Sequence, residues 1–153
     1  TIPDYVAGRI APRPQPAEGA TYARKITKED GLLDWRQPAR GLWNRVRALC
    51  PWPGTYTFHH VEPQPRLLKV WEAQALEESA GQPGEIVQAD KRGLVVACGR
   101  GALQITSLQR EGGRRLGVAE FLAGHPLRVG ECLGAAEGSG QLQPAPGRKN
   151  PEK

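Results

Sequence analysis

The stretch from residue 38 to residue 54 constrains this chain most. Ala39, Leu42, Trp43, Val46, Leu49 and Cys50 recur at i, i+3, i+4 and i+7 intervals, which predicts an amphipathic helix over 38–50. Pro38 suits a first helical turn, where its missing N–H is not needed. Pro51-Trp52-Pro53-Gly54 stops the helix. Beyond Gly54 the period drops to two. Residues 56–61 and 67–76 alternate as strands do, parted by Pro63-Gln64-Pro65. Shorter strands are predicted over 84–89, 93–98 and 102–108. Their links, Asp90-Lys91-Arg92-Gly93 and Gly99-Arg100-Gly101, are short enough for hairpins. A short helix is expected over 118–123 and a closing strand over 131–133. The fold class that follows is mainly β with short helices, best matched by an OB-like small β-barrel. Its expected core is Leu42, Trp43, Val46 and Leu49 of the helix with Leu94, Val96, Leu103, Ile105 and Leu108 of the central strands.

Punctuation divides the rest. The chain has 19 glycines and 14 prolines in 153 residues, and they gather at 10–19, 82–84, 112–113 and 134–147. Residues 3–10 read as a short helix with Tyr5, Val6 and Ile10 apolar, and prolines 12, 14 and 16 predict an extended polyproline-like linker after it. With no methionine and a start at Thr1, the chain reads as a piece of a longer protein. Residues 21–134 form the domain able to bury a core, with 21–28 extended before a turn. Residues 135–153 are poor in apolar side chains and are predicted to be a disordered tail.

Enzymatic constellations are sparse. His59 and His60 are adjacent in a predicted strand, so they face opposite ways and cannot easily share a metal or a nucleophile. Both read as ordinary surface or half-buried histidines, as does His125 before Pro126. Glu29 and Asp30 lie beside lysines and read as a solvated turn. Cys50, Cys98 and Cys132 lack metal-ligand spacing and read as small buried thiols of a reducing cytoplasm. Gly99-Arg100-Gly101 is too short for a phosphate-cradling fingerprint. No catalytic residue, metal or cofactor is assigned to this chain. No apolar run reaches membrane-spanning length, so a soluble, cytoplasmic monomer is expected.

Nucleic-acid contact is better supported. The formal charge is +5, from 21 Lys and Arg against 16 Asp and Glu, and the placement of the bases says more than their total. Arg24, Lys25 and Lys28 follow the linker. Arg40, Arg45 and Arg47 decorate the helix, and Lys91, Arg92 and Arg100 cap hairpins. Guanidinium forks and lysine point charges suit phosphate, so the first six are expected to form one phosphate-binding strip that reads no bases. A merely solvated face is the competing reading, and acids at 29, 30, 34, 111 and 120 make the field patchy. Trp35, Trp43, Trp52 and Trp71 could stack on bases but read better as packing residues. Trp71 is expected to share a strand face with Leu67, Ala73 and Ala75.

A series of landmarks runs through residues 3–134. It includes Pro14-Gln15-Pro16, Gly19-Ala20-Thr21-Tyr22-Ala23, Lys25-Ile26, Asp34-Trp35, Arg47-Ala48 and Pro51-Trp52-Pro53-Gly54. It continues with Gly93-Leu94, Gly101-Ala102-Leu103 and Phe121-Leu122-Ala123-Gly124. In order and spacing they resemble the linker and carboxy-terminal domain of methionyl-tRNA formyltransferases. The resemblance implies an OB-like barrel that grips the acceptor arm of initiator tRNA. It also implies an upstream catalytic domain supplying Asn, His and Asp, with 10-formyltetrahydrofolate as donor for the full enzyme. Residues 1–20 would then be the end of that catalytic domain and the linker, and this chain alone would be inactive. Two departures stand out. Arg24 occupies a position where relatives usually have Pro, and Gly117 replaces the Ser or Thr cap expected before the late helix. The alternatives are a structural carboxy-terminal domain of a sugar-nucleotide or folate formyltransferase, and a free-standing OB-like nucleic-acid-binding module.

Overall fold

The computed structural model describes residues 2–135 apart from Gln15, Ala17 and Glu62. The tail expected over 135–153 lies outside the described residues, Ala135 excepted. A first helix, α1 (Ile2–Val6), is shorter than the expected 3–10. Its end is closed by Gly8 N–H on Tyr5 O and Arg9 N–H on Asp4 O. A 3-10 turn (Glu29–Gly31) follows residues 20–27, which form no regular element, and α2 runs Ala39–Ala48.

Helix α2 is two residues shorter than its apolar pattern at the far end. The residue before a proline avoids the helical region, so Cys50 cannot extend α2 into Pro51. Pro38 sits at the N-cap rather than in the first turn. With no capping side chain, the helix has the Arg100 carbonyl, which accepts the Ala39 N–H at 2.9 Å. Ala39, Leu42, Val46 and Leu49 are buried, Trp43 partly so. Cys50 and Cys132 are exposed, contrary to the buried-thiol reading. Cys50 lies past the last helical residue, where the helical phase no longer applies. Cys132 alternates with the buried Leu133 and so faces out. Cys98 is buried, which pushes its thiol up to about 11.

The strands are β1 (Thr55–His59), β2 (Arg66–Leu76), β3 (Ile86–Asp90), β4 (Gly93–Ala97), β5 (Ala102–Arg110), β6 (Leu116–Gly117) and β7 (Leu133–Gly134). Helix α3 (Val118–Gly124) lies between the last two. Among the described residues they make one antiparallel sheet in the order β3-β4-β5-β2-β1-β7, with β6 on β5. The sheet curls until its ends meet. Ile86 N–H donates to Glu131 O, Gly130 N–H to Ile86 O, and Leu133 N–H to Gly84 O, each at 2.8 Å. Gly84 permits this seam. Its φ is +92°, and a side chain there would strike the Leu133 carbonyl. The OB-like barrel expected from the pattern is therefore present.

Eight of the nine residues of the expected core belong to the buried cluster or pack on it, with Trp43 at its margin, and the ninth, Leu49, is buried outside that cluster. Strand β4 is buried at every position, and each large aliphatic there contributes roughly 1.5–3 kcal/mol. Two strands depart from simple alternation. In β2 the register shifts between Val70 and Ala73. Leu68 and Val70 are buried before the bulge, and Ala73 and Ala75 pack on the core after it, so Leu67 does not share their face. In β1 the inward residues are Thr55, Thr57 and His59, while Tyr56 and Phe58 meet edge to face on the outer side. The buried hydroxyls are satisfied. Thr55 Oγ1 donates to Val70 O at 2.9 Å, and Thr57 Oγ1 accepts from Trp35 Nε1 at 3.0 Å. His59 is thus buried rather than half-exposed, and His60 faces outward as expected.

Candidate nucleic-acid interface

The linker enters the domain through a tight approach. A side chain on Gly31 would collide with the Gly54 carbonyl, so only glycine lets the 3-10 turn lie on the Pro51-Trp52-Pro53-Gly54 corner. Cys50–Pro51 and Trp52–Pro53 are cis in that corner. Trp52 is 61% exposed, so the packing reading fails for it. Trp35 is 4% exposed and belongs to the core.

Asp30 organises the bases around this entry. Arg24 grips its carboxylate with both terminal guanidinium nitrogens, Nη1 at 2.9 Å from Oδ2 and Nη2 on Oδ1. Thr27 N–H donates to Oδ2 at 2.8 Å. The Arg24 hydrogen bond, with help from Thr27, holds the Asp30 carboxyl well below the usual carboxylate range. From the helix side, Arg45 Nε donates to Asp30 O at 2.8 Å. The solvated-turn reading of Asp30 is corrected, since its side chain is only 14% exposed. Lys25 and Lys28 flank this knot, exposed and without an ion pair among the described residues.

Arg40 and Arg47 lie elsewhere. They stand three residues before and four after Trp43, hence on one helix face. Their guanidinium carbons sit 4.4 and 4.3 Å from its ring centroid. Arg45, about 200° round the helix from Trp43, occupies the opposite shoulder. Trp43 walls an open groove of about 740 Å³ between α2 and β2 that also reaches Trp71. Arg115, in the basic run 110–115 but not singled out by it, sits over the Trp71 ring and pairs with Glu72. Arg115 is 43 residues from Glu72 in sequence, so no local signal joins them.

The nine candidate residues thus fall into three places. Arg24, Lys25, Lys28 and Arg45 gather at Asp30, while Arg40 and Arg47 cover Trp43. Arg100 lies at the start of α2, where its carbonyl accepts the Ala39 N–H next to Arg40 in the chain. Lys91 and Arg92 sit at the other end of β4 from Arg100. Arg92 pairs with Asp90 at 3.5 Å, and its amide donates to Asp90 Oδ1 at 2.7 Å. No group of three His, Cys, Asp or Glu among the described residues could hold a metal ion. None of the described helices is long and apolar enough to cross a membrane.

Residues 25–126 match the formyl transferase C-terminal domain family. The methionyl-tRNA formyltransferase of Paracidovorax citrulli is 46% identical over 86% of this chain and 41% of its own length. That of Paraburkholderia phymatum is 48% identical over 86% of this chain and 39% of its own. That of Caldanaerobacter subterraneus is 41% identical over 87% and 42%. The chain therefore spans about two fifths of the length of these relatives. A crystal structure of HypX from Aquifex aeolicus, in complex with tetrahydrofolic acid, superposes with a TM-score of 0.53. It is 22% identical and aligns with 79% of this chain and 21% of HypX; this is a likeness of fold.

Proposed function

We propose a function from one premise: the chain belongs to the formyl transferase C-terminal domain family. It is the tRNA-holding carboxy-terminal part of a methionyl-tRNA formyltransferase, which formylates the methionine of initiator Met-tRNA for translation initiation. The observation that carries this reading is the 46–48% identity to methionyl-tRNA formyltransferases over 86% of the chain. That likeness favours it over a sugar-nucleotide or folate enzyme and over a free-standing module.

In this reading residues 1–20 are the end of the catalytic domain and the linker, residues 21–134 are the tRNA-binding domain, and 135–153 are a tail. Catalytic residues and the 10-formyltetrahydrofolate site belong to the upstream domain, and the protein works as a cytoplasmic monomer. Lys25, Lys28 and Arg45 hold backbone phosphates of the acceptor arm at the linker entry, with Arg24 locked to Asp30 as their support. Arg40, Arg47 and Arg100 extend the contact along the α2 side. Lys91 and Arg92, at the far end of β4, are the outermost members. Phosphate contacts of this type position an RNA without reading its bases, so initiator selection rests with the catalytic domain.

The test is a titration of the 153-residue chain with initiator and elongator tRNA at several salt concentrations. Similar affinities and a linear log–log salt dependence are expected. Strong preference for initiator tRNA would overturn the backbone-only reading. Failure to bind either tRNA at low salt would overturn the tRNA assignment. Incubated with formyl donor and methionyl-tRNA, the chain alone is expected to give no turnover above background.

A further inference from the structure

A second basic site lies at the other end of β1 from the linker entry. Strand β1 begins beside the 3-10 turn, where Tyr56 bridges Leu32. It ends at His59, on the wall of a cavity of about 280 Å³. Leu68, Phe121 and Leu127 are buried apolar members of its lining. Two histidines, His59 and His125, and three arginines, Arg66, Arg110 and Arg128, complete the polar part of the lining with Glu131.

The charges in this cavity are unbalanced. Glu131 is its one carboxylate among the lining residues, and that carboxylate is already engaged. Its Oε2 lies 2.9 Å from His59 Nε2 and accepts the Arg128 N–H at 3.0 Å. The side chains of Arg66, Arg110 and Arg128 make no hydrogen bond or ion pair among the described residues. His125 Nδ1 is buried there without a partner. The His125 ring rests obliquely on Phe121, with centroids 5.1 Å apart at 32°. A domain that needed these bases only for solubility would spread them over its surface. Gathered instead around one apolar hollow beside a tilted ring pair, they suit a ligand with a doubly or singly charged head and a flat, uncharged body.

We infer that this cavity is a nucleotide site, in which Arg66, Arg110 and Arg128 hold a phosphate and the ring of His125, backed by Phe121, meets the base. The phosphate has two sources, a free mononucleotide or an unpaired nucleotide of an RNA. The inference does not depend on the tRNA reading, because none of the nine linker, helix and hairpin bases lines the cavity.

Adenosine monophosphate is the probe, titrated into the 153-residue chain while the His59 and His125 ring resonances are followed by NMR. Both should shift, and adenosine without its phosphate should bind at least about tenfold more weakly, the worth of one charge-assisted contact. Arg66→Ala with Arg110→Ala should lose binding by about tenfold or more. Both side chains are exposed, so the fold should survive, and an unchanged melting temperature checks that. Lys25→Ala with Lys28→Ala should leave nucleotide binding intact, which separates this site from the proposed tRNA surface. Displacement of the nucleotide by a short single-stranded RNA assigns the phosphate to RNA, and its absence assigns the site to free nucleotides. Equal binding of adenosine and its monophosphate would sink the proposal. So would full binding by the double-arginine variant, or silent histidine resonances.

Discussion

The two ends of the proposed tRNA surface hold their arginines by different physics. At the linker entry, Arg24 is clamped to the Asp30 carboxylate, and Arg45 reaches the carbonyl of the same residue. On the α2 side, Arg40 and Arg47 lie over the Trp43 ring and have no carboxylate partner among the described residues. A clamped guanidinium has spent much of its charge and stiffens the chain around it. A guanidinium stacked on an aromatic face keeps its edge donors for a phosphate. Counting bases treats the two ends alike, whereas the structure makes Arg24 a scaffold at the first and leaves Arg40 and Arg47 as open hands at the second. Beside the clamp, Lys25, Lys28 and the terminal nitrogens of Arg45, whose Nε alone is engaged, resemble the second end in availability.

The largest effect should come from the element common to both ends. Leu42→Ala, at a position only 1% exposed, should destabilise the domain by about 2–5 kcal/mol in chemical denaturation. It should weaken both ends together. Loss of one end alone would mean that they do not share α2 as their support.

Removing the aromatic seat should separate them. Trp43→Ala is expected to cost about 1–3 kcal/mol through poorer packing and the removal of both cation–π interactions. It should lower tRNA affinity while Lys25 and Lys28 still contribute in full, and Trp43→Phe should restore most of the affinity. Affinity unchanged in Trp43→Ala would reduce the α2 side to a solvated face.

Lys25→Ala with Lys28→Ala should leave the melting temperature almost unmoved. The log–log salt slope for tRNA should flatten by about 0.7–0.9 for each phosphate no longer neutralised. An unaltered slope would remove both lysines from the interface.

The smallest effect concerns the clamp itself. The Asp30 carboxyl is held below its ordinary range, so its contribution is complete above the unfolded value of about 3.9. It fades as the pH drops through the lower, folded value. The protection factor of the Thr27 amide, its exchange rate relative to the unfolded chain at the same pH, should therefore stay flat from pH 5 to 8 and fall in stronger acid. Asp30→Asn should remove that acid response. A response that persists in the Asn variant would place its origin outside the clamp.

Much of the fold was legible because its periods are clean. The 3.6-residue spacing of Leu42, Val46 and Leu49 and the unbroken apolar run Leu94-Val95-Val96 each had one reading, and the structure follows both. Strand β1 misleads because period two gives the alternation without saying which phase points inward. Tyr56 and Phe58 would win on hydrophobicity, but Thr55, Thr57 and His59 occupy the inside, where partners from β2, Trp35 and Glu131 satisfy their polar atoms. The bulge in β2 was hidden for a related reason, since one extra residue leaves no trace in composition. The basic residues of the candidate surface could be read one by one, but their partners could not. Arg24 with Asp30 is a local pair, yet its choice of that acid over Glu29 depends on how the turn closes. Arg115 over Trp71, and the cavity that Arg66 shares with His125, arise only from the topology.

The barrel seam also bears on how the chain is made. His59 meets Glu131 across 72 residues, and Thr57 donates to Gly134 O across 77. During synthesis from the amino terminus, β1 through β5 can pair while the last strand is still inside the ribosome. Until residues 130–134 emerge, β3 and the Phe58–His59 end of β1 remain open edges, a hazard for nascent β proteins. A stall or truncation shortly before residue 130 would leave a nearly complete sheet without its last staple, and such a species should aggregate rather than refold.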